Sequence, residues 1–183
     1  MNRFIRLSGL LAGLGGLFWF INISALPTGA PPGHAGADGE NDCSSCHFGE
    51  LADTAPALEL SGLTATMKAG SHQVFELVLS HPDMRVAGIQ ATVRAMDKNP
   101  GAAGRLQARG LKSIQIDENV YISHTNPINA ESGQVKITME WDVPKDFSGN
   151  ATINAAMVAG NDDESAFGDS ALSLERQVII ISD

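Results

Sequence analysis

Hydrophobic and polar residues alternate with a period of two along much of the chain beyond residue 57. Val135, Ile137, Met139, Trp141 and Val143 alternate with Gln134, Lys136, Thr138, Glu140 and Asp142. That is the pattern of a half-buried strand, and Pro144 ends it. Ala87, Ile89, Ala91, Val93 and Ala95 alternate with Gly88, Gln90, Thr92, Arg94 and Met96, and residues 73–80 place Phe75, Leu77 and Leu79 on one face. Further strands are expected over 57–63, 104–108, 114–116 with 120–122, 151–159 and 173–181. Turn signals separate them: His81-Pro82-Asp83, Asn99-Pro100-Gly101, Ser148-Gly149-Asn150 and Gly160-Asn161-Asp162. Short strands punctuated in this way predict an all-β fold, an antiparallel immunoglobulin-like β-sandwich of seven or eight strands. No later segment carries the 3.6-residue period of a long amphipathic helix.

The first 56 residues read differently. Arg3 and Arg6 precede an uncharged, mostly apolar stretch from Leu7 to Leu26, followed by a Gly/Pro/Asp-rich segment. The expected organisation is a leader over 1–26, a Pro/Gly-rich segment over 27–56 and a sandwich domain over 57–183. The leader is either a signal peptide, with Ile23-Ser24-Ala25 as an imperfect cleavage site, or an N-terminal membrane anchor of about 20 residues. In both cases the rest of the chain is exported, to the periplasm or the outer face of a bacterial cytoplasmic membrane. Membrane association would run through this segment, since Ile181-Ser182-Asp183 closes the chain with no apolar tail. The formal net charge is −9, and loss of the leader with its two arginines leaves 10 basic against 21 acidic residues. A nucleic-acid partner would need a basic footprint and is excluded.

The chain's two cysteines lie within Cys43-Ser44-Ser45-Cys46-His47. CxxCH is the attachment pattern of a c-type haem. Two thiols at this spacing can each add to a vinyl group on one porphyrin edge, and the adjoining imidazole then reaches the iron. Three other readings compete. A redox dithiol usually opens a helix after a strand, whereas coil precedes this motif. Zinc would need a second pair of ligands with His or Cys spacing, and a disulfide across two residues constrains the unfolded chain little. The expected cofactor is one covalently attached haem c, on the side of the membrane where bacteria make that attachment.

These segments together resemble the choice-of-anchor V proteins, a family related to Reeler-like sandwiches. Residues 28–40, Thr-Gly-Ala-Pro-Pro-Gly-His-Ala-Gly-Ala-Asp-Gly-Glu, run into the CxxCH. Val86-Ala87-Gly88-Ile89-Gln90 looks like the family's aromatic-Gly-Phe-Gln strand, with Ala87 at the aromatic position. Tyr121-Ile122-Ser123-His124-Thr125 is similar to its Tyr-x-x-His-Thr segment, Glu140-Trp141-Asp142-Val143-Pro144 to its Trp-x-x-x-Pro strand end, and residues 155–161 to its Ala-rich strand and Gly-Asn turn. The resemblance implies an exported sandwich with a haem motif rather than a specific reaction.

Cofactor-binding residues are therefore expected at Cys43, Cys46 and His47, with His47 as proximal ligand. His124 is expected as the sixth ligand, because a strand-end loop presents an imidazole rigidly and Tyr121 or Thr125 could orient its second nitrogen. His34 is the alternative. His72 and His81 flank one strand, and the methionines sit in or beside strands, where Met is usually core filler. Asp162, Asp163 and Glu164 with Asp169 form an acidic cluster that could take a hard cation, although they lack an EF-hand pattern. No nucleophile elbow, phosphate loop or zinc-hydrolase helix is present, and the chain is expected not to be an enzyme. The leading expectation is a mono-haem c-type cytochrome with bis-His iron, exchanging single electrons with a redox partner protein. Two alternatives remain open: a haem-based small-ligand sensor, and a surface interaction sandwich in which haem is structural.

Overall fold

Strands with one apolar face must bury it, and the computed structural model, which describes residues 26–52 and 54–182, pairs those faces in two stacked sheets. The strands are β1 (Ala57–Ser61), β2 (Thr66–Lys68), β3 (His72–Ser80), β4 (Val86–Ala95), β5 (Arg105–Ala108) and β6 (Lys112–Ile116). They continue with β7 (Asn119–Ser123), β8 (Ile128–Asn129), β9 (Gln134–Asp142), β10 (Gly149–Gly160) and β11 (Ser170–Ile181). One sheet runs β1-β3-β9-β5 and the other β2-β11-β10-β4-β7-β6. β8 pairs with β4 at Val86 and Ala87, while β7 pairs with β4 at Gln90–Thr92, so the two short strands lie end to end along one edge of β4.

The β-sandwich agrees with the period-two reading. Two short strands, β2 and β8, were not expected, because two or three residues carry no detectable period. β2 also departs from a purely antiparallel arrangement, since it pairs parallel to β11. Helical structure among the described residues is limited to single 3-10 turns at Cys43–Ser45 and Pro100–Ala103. No helix among those residues is long and apolar enough to cross a membrane, and residues 1–25, with most of the leader, lie outside them.

The core is asymmetric in side-chain size. β3 and β9 contribute Phe75, Leu77, Leu79, Ile137, Met139 and Trp141, whereas β4 and β10 contribute mainly Ala87, Ile89, Ala91, Val93, Ala151, Ile153 and Ala155. Large residues facing small ones let the two sheets interdigitate at close-packed density. Trp141 is fully buried, and its indole Nε1–H donates to the Ala103 carbonyl at 2.8 Å, so burial leaves no polar atom of the ring unpaired.

β10 breaks the alternation expected of a half-buried strand, because every residue from Ala151 to Gly160 is buried. A second layer therefore covers the outward face of this sheet. The cover is the Pro/Gly-rich segment. Gln90, buried on the outward face of β4, accepts the His34 amide at 2.7 Å and donates to the carbonyls of Pro31 and Ala30 at 2.9 and 3.2 Å. Asn154 donates to the Gly36 carbonyl at 3.4 Å. Arg94 and Tyr121 both donate to Glu40, and Arg94 also donates to the Tyr121 hydroxyl at 2.5 Å. Desolvation, and then the hydrogen bond to Glu40, pushes the Tyr121 phenol up to about 12 and keeps it a donor.

Replacing Trp141 with Ala removes the largest buried side chain and its hydrogen bond. The expected loss is ~3–5 kcal/mol in a urea unfolding titration. A near-neutral effect would mean that the indole is not packed between the sheets.

Candidate cofactor site

The CxxCH pentapeptide folds as one tight turn. Asp42 caps it, its carboxylate accepting the Ser44 amide at 2.8 Å, and the amides of Cys46 and His47 both donate to the Cys43 carbonyl, at 3.2 and 3.0 Å. Winding the chain in this way brings Cys43, Cys46 and His47 to the wall of one cavity of about 550 Å³, between the segment and the outward side of β4 and β10. The apolar part of its lining comes from Leu26, Pro27, Ala30, Val86, Pro127 and Val158, and both His34 and His124 reach it as well. Four sequence-expected site residues and the alternative ligand thus meet at one place. The two cysteines are free thiols. Desolvation, and then the neighbouring Asp42 carboxylate, pushes the Cys43 thiol up to about 12. Dithiol oxidoreductases hold their reactive thiol low instead.

His47 is fixed by a partner far away in the chain. Its Nδ1 lies 2.7 Å from Oδ2 of Asp169, whose side chain is only 5% exposed, just before β11. A short parallel bridge holds the two residues in place: the Phe48 amide donates to the Ala166 carbonyl and the Gly168 amide to the Phe48 carbonyl, both at 2.8 Å. With Nδ1 committed to the carboxylate, Nε2 is the nitrogen left for a ligand.

His124 sits in the interruption between β7 and β8, where the ladder along β4 would otherwise continue. Its amide donates to the Ile89 carbonyl at 3.4 Å, and its ring completes the pairing, with Nδ1 3.0 Å from the Ile89 amide nitrogen and 3.1 Å from the Ile89 carbonyl oxygen. Either tautomer is served. A ring protonated at Nε2 accepts from the amide, and one protonated at Nδ1 donates to the carbonyl and leaves the Nε2 lone pair for a metal. Gly88 makes the room: a Cβ there would stand 2.9 Å from Cε1 of the ring. Burial holds the His124 pKa below the usual histidine value, and the peptide groups of Ile89 and Leu26 only partly oppose it. The expectation that Tyr121 or Thr125 would orient this imidazole is corrected. Tyr121 is engaged with Glu40 and Arg94, while Thr125 is an exposed acceptor for Asn126.

The other candidates separate clearly. His34 lines the cavity with Nδ1 3.0 Å from the Pro31 carbonyl. His72 is exposed and paired with Asp142 at 2.7 Å, outside the cavity. Both nitrogens of His81 are occupied, by the Thr54 carbonyl at 2.6 Å and the Asp83 amide at 3.1 Å. Among the described residues no methionine lines the cavity. Asp162, Asp163 and Glu164 stand at its wall, but among the described residues no three His, Cys, Asp or Glu side chains converge as a protein-only metal site requires. Asp169 faces His47 instead, a role the sequence does not announce because 122 positions separate the two.

No family model and no curated protein match the chain, so the likeness to choice-of-anchor V proteins rests on the residues quoted above. Among solved structures the chain is similar to the human F-spondin reeler domain, at 16% identity over 70% of this chain and 89% of that one, with a TM-score of 0.43. It is also similar to BslA, a bacterial hydrophobin, at 13% identity over 74% and 100% of the two chains, TM-score 0.39. A third is AggA, the major subunit of aggregative adherence fimbriae type I from Escherichia coli, at 8% identity over 71% and 97%, TM-score 0.39. A likeness of this degree says nothing about cofactor or partner.

Substituting Gly88 with Ala forces the His124 ring out of its seat. The expected cost is ~1–3 kcal/mol, as for other overpacked interiors, with faster hydrogen exchange at the Ile89 amide. Unchanged stability and protection would show that the ring does not lie against Gly88.

Proposed function

We propose that this chain is an exported mono-haem c-type cytochrome built on a β-sandwich, with haem joined to Cys43 and Cys46, His47 as proximal ligand and His124 as sixth ligand. The observation that carries this reading is the convergence of all four residues on one cavity. Its volume of about 550 Å³ lies within the ~300–1,000 Å³ usual for cofactor pockets. Three features of the chain support the fit: unbridged thiols at the right spacing, two imidazoles each with Nδ1 already engaged, and a glycine that clears space for one of them. Bound haem supplies one-electron exchange, one electron in from a donor protein and one out to an acceptor, with no atom transferred.

The chain's own residues perform the rest. Asp42 stiffens the attachment turn, and burial keeps the Cys43 thiol neutral. Desolvation keeps His124 unprotonated near neutral pH, so no proton blocks its lone pair. The apolar walls limit water, and two nitrogen ligands would hold the coordination constant as the charge changes.

A structural role for haem is the second reading. One observation favours it: the ligands come from both the covering segment (Cys43, Cys46, His47) and the sandwich (His124), so a bound haem would staple one to the other. Reversible one-electron cycling at an accessible potential separates the two. CO reactivity of the unmodified protein would instead favour a small-ligand sensor.

Protein exported from a haem-maturing host is expected to keep one haem after denaturation, by mass and absorption, and Cys43→Ala with Cys46→Ala to lose it. A full-length, haem-free product with two free thiols from that host overturns the reading. His124→Ala is expected to turn a low-spin spectrum high-spin and CO-reactive with haem still attached, while His34→Ala leaves it nearly unchanged. The reverse pattern assigns the sixth position to His34.

A further inference from the structure

Asp169 is a buried carboxylate whose only hydrogen-bond partners among the described residues are the His47 ring at 2.7 Å and, on its other oxygen, the Asn161 amide at 3.4 Å. No Lys or Arg among those residues forms an ion pair with it. A charge placed out of water with so little compensation costs stability, and an Asn of the same shape would make a similar contact without that cost. The carboxylate is nevertheless built in with care. It follows Gly168, and the Phe48–Phe167 bridge fixes its distance from His47. Gly160 packs close by, where a Cβ would stand 3.3 Å from Oδ1.

We propose that Asp169 is a positioning residue that sets the donor strength of His47. An imidazole that gives its Nδ1–H to a full carboxylate acquires imidazolate character, and the nitrogen at the other end of the ring becomes a stronger electron donor. A stronger axial donor stabilises the ferric over the ferrous state, so the couple is held low. This inference rests on the cytochrome reading and adds to it a direction for the potential and the residue responsible. The other axial imidazole has no such partner, because the Nδ1 of His124 meets only the uncharged peptide groups of Ile89. The push is one-sided.

Asp169→Asn keeps the volume and an acceptor but removes the charge. In protein shown by mass to carry covalent haem, the midpoint potential is expected to rise by at least a tenfold change in the reduction equilibrium, ~59 mV for one electron. A potential equal to that of the unmodified protein, with haem attached and His47 coordinated, overturns the inference and leaves the cytochrome reading standing. Absence of covalent haem in the unmodified protein overturns both. If Asp169→Asn does not fold, electron paramagnetic resonance of the unmodified ferric protein reads the same property. Imidazolate character compresses the spread of g-values relative to a model haem bearing the same axial pair in neutral form, and an uncompressed spectrum overturns the inference. A merely structural role for Asp169 would move neither readout.

Discussion

The covering of the second face of the sheet is the constraint on which the rest of this structure depends. A strand in a two-layer sandwich ordinarily keeps one face wet, yet β10 is buried along Ala151–Gly160 and β4 nearly so. Apolar and small residues on both faces of these strands would be a liability without a cover. The segment that supplies it is too rich in Gly and Pro to form a strand or helix, so its backbone polar groups must find partners in the sheet's side chains. Gln90 meets three of them, and Asn154 a fourth. Glu40 adds a charged tie, since removing one partner of a mostly buried ion pair leaves the other uncompensated.

The cavity follows from where that cover lies loosely. Over β4 the ladder with β7 stops at Gln90 and resumes with β8 at Ala87; between them the His124 amide still reaches the Ile89 carbonyl at 3.4 Å, and the Ile89 amide is left to a side chain. The His124 ring receives that amide at 3.0 Å, and it can approach only because residue 88 has no side chain. A gap in a sheet thus becomes a mount for an imidazole. The mount belongs to the rigid sandwich, whereas Cys43, Cys46 and His47 belong to the cover, so the two walls of the site are made by different parts of the chain.

Much of the fold was legible because β4 and β9 alternate apolar and polar residues over nine positions and β3 sets Phe75, Leu77 and Leu79 on one face. β2 and β8 were not, since two- or three-residue strands are defined only by their neighbours. The site was legible in proportion to its locality. Cys43, Cys46 and His47 are adjacent and their spacing is itself chemistry. His124 was reachable through its loop position, but the groups that orient it, the Ile89 peptide, are main-chain atoms and leave no mark in a sequence. Asp169 was visible only as one acid among several. Its pairing with His47 exists because β11 returns beside the attachment turn, a fact of topology that no local pattern carries.

The two histidines facing the cavity differ in a way that follows from their surroundings. His47 stands against a carboxylate and His124 against peptide groups in a desolvated niche, so the same side chain has an anionic partner at one position and only dipoles at the other. A structural staple would gain from that carboxylate too, because an imidazole bonded to an anion is a stronger ligand and holds a metal more firmly. An electron carrier would use it, since donor strength at the iron is one of the few levers a protein has on a potential. Asp169 therefore serves either role, strengthening attachment in a staple and lowering the potential in a carrier, and the potential of the loaded protein is what tells the two apart.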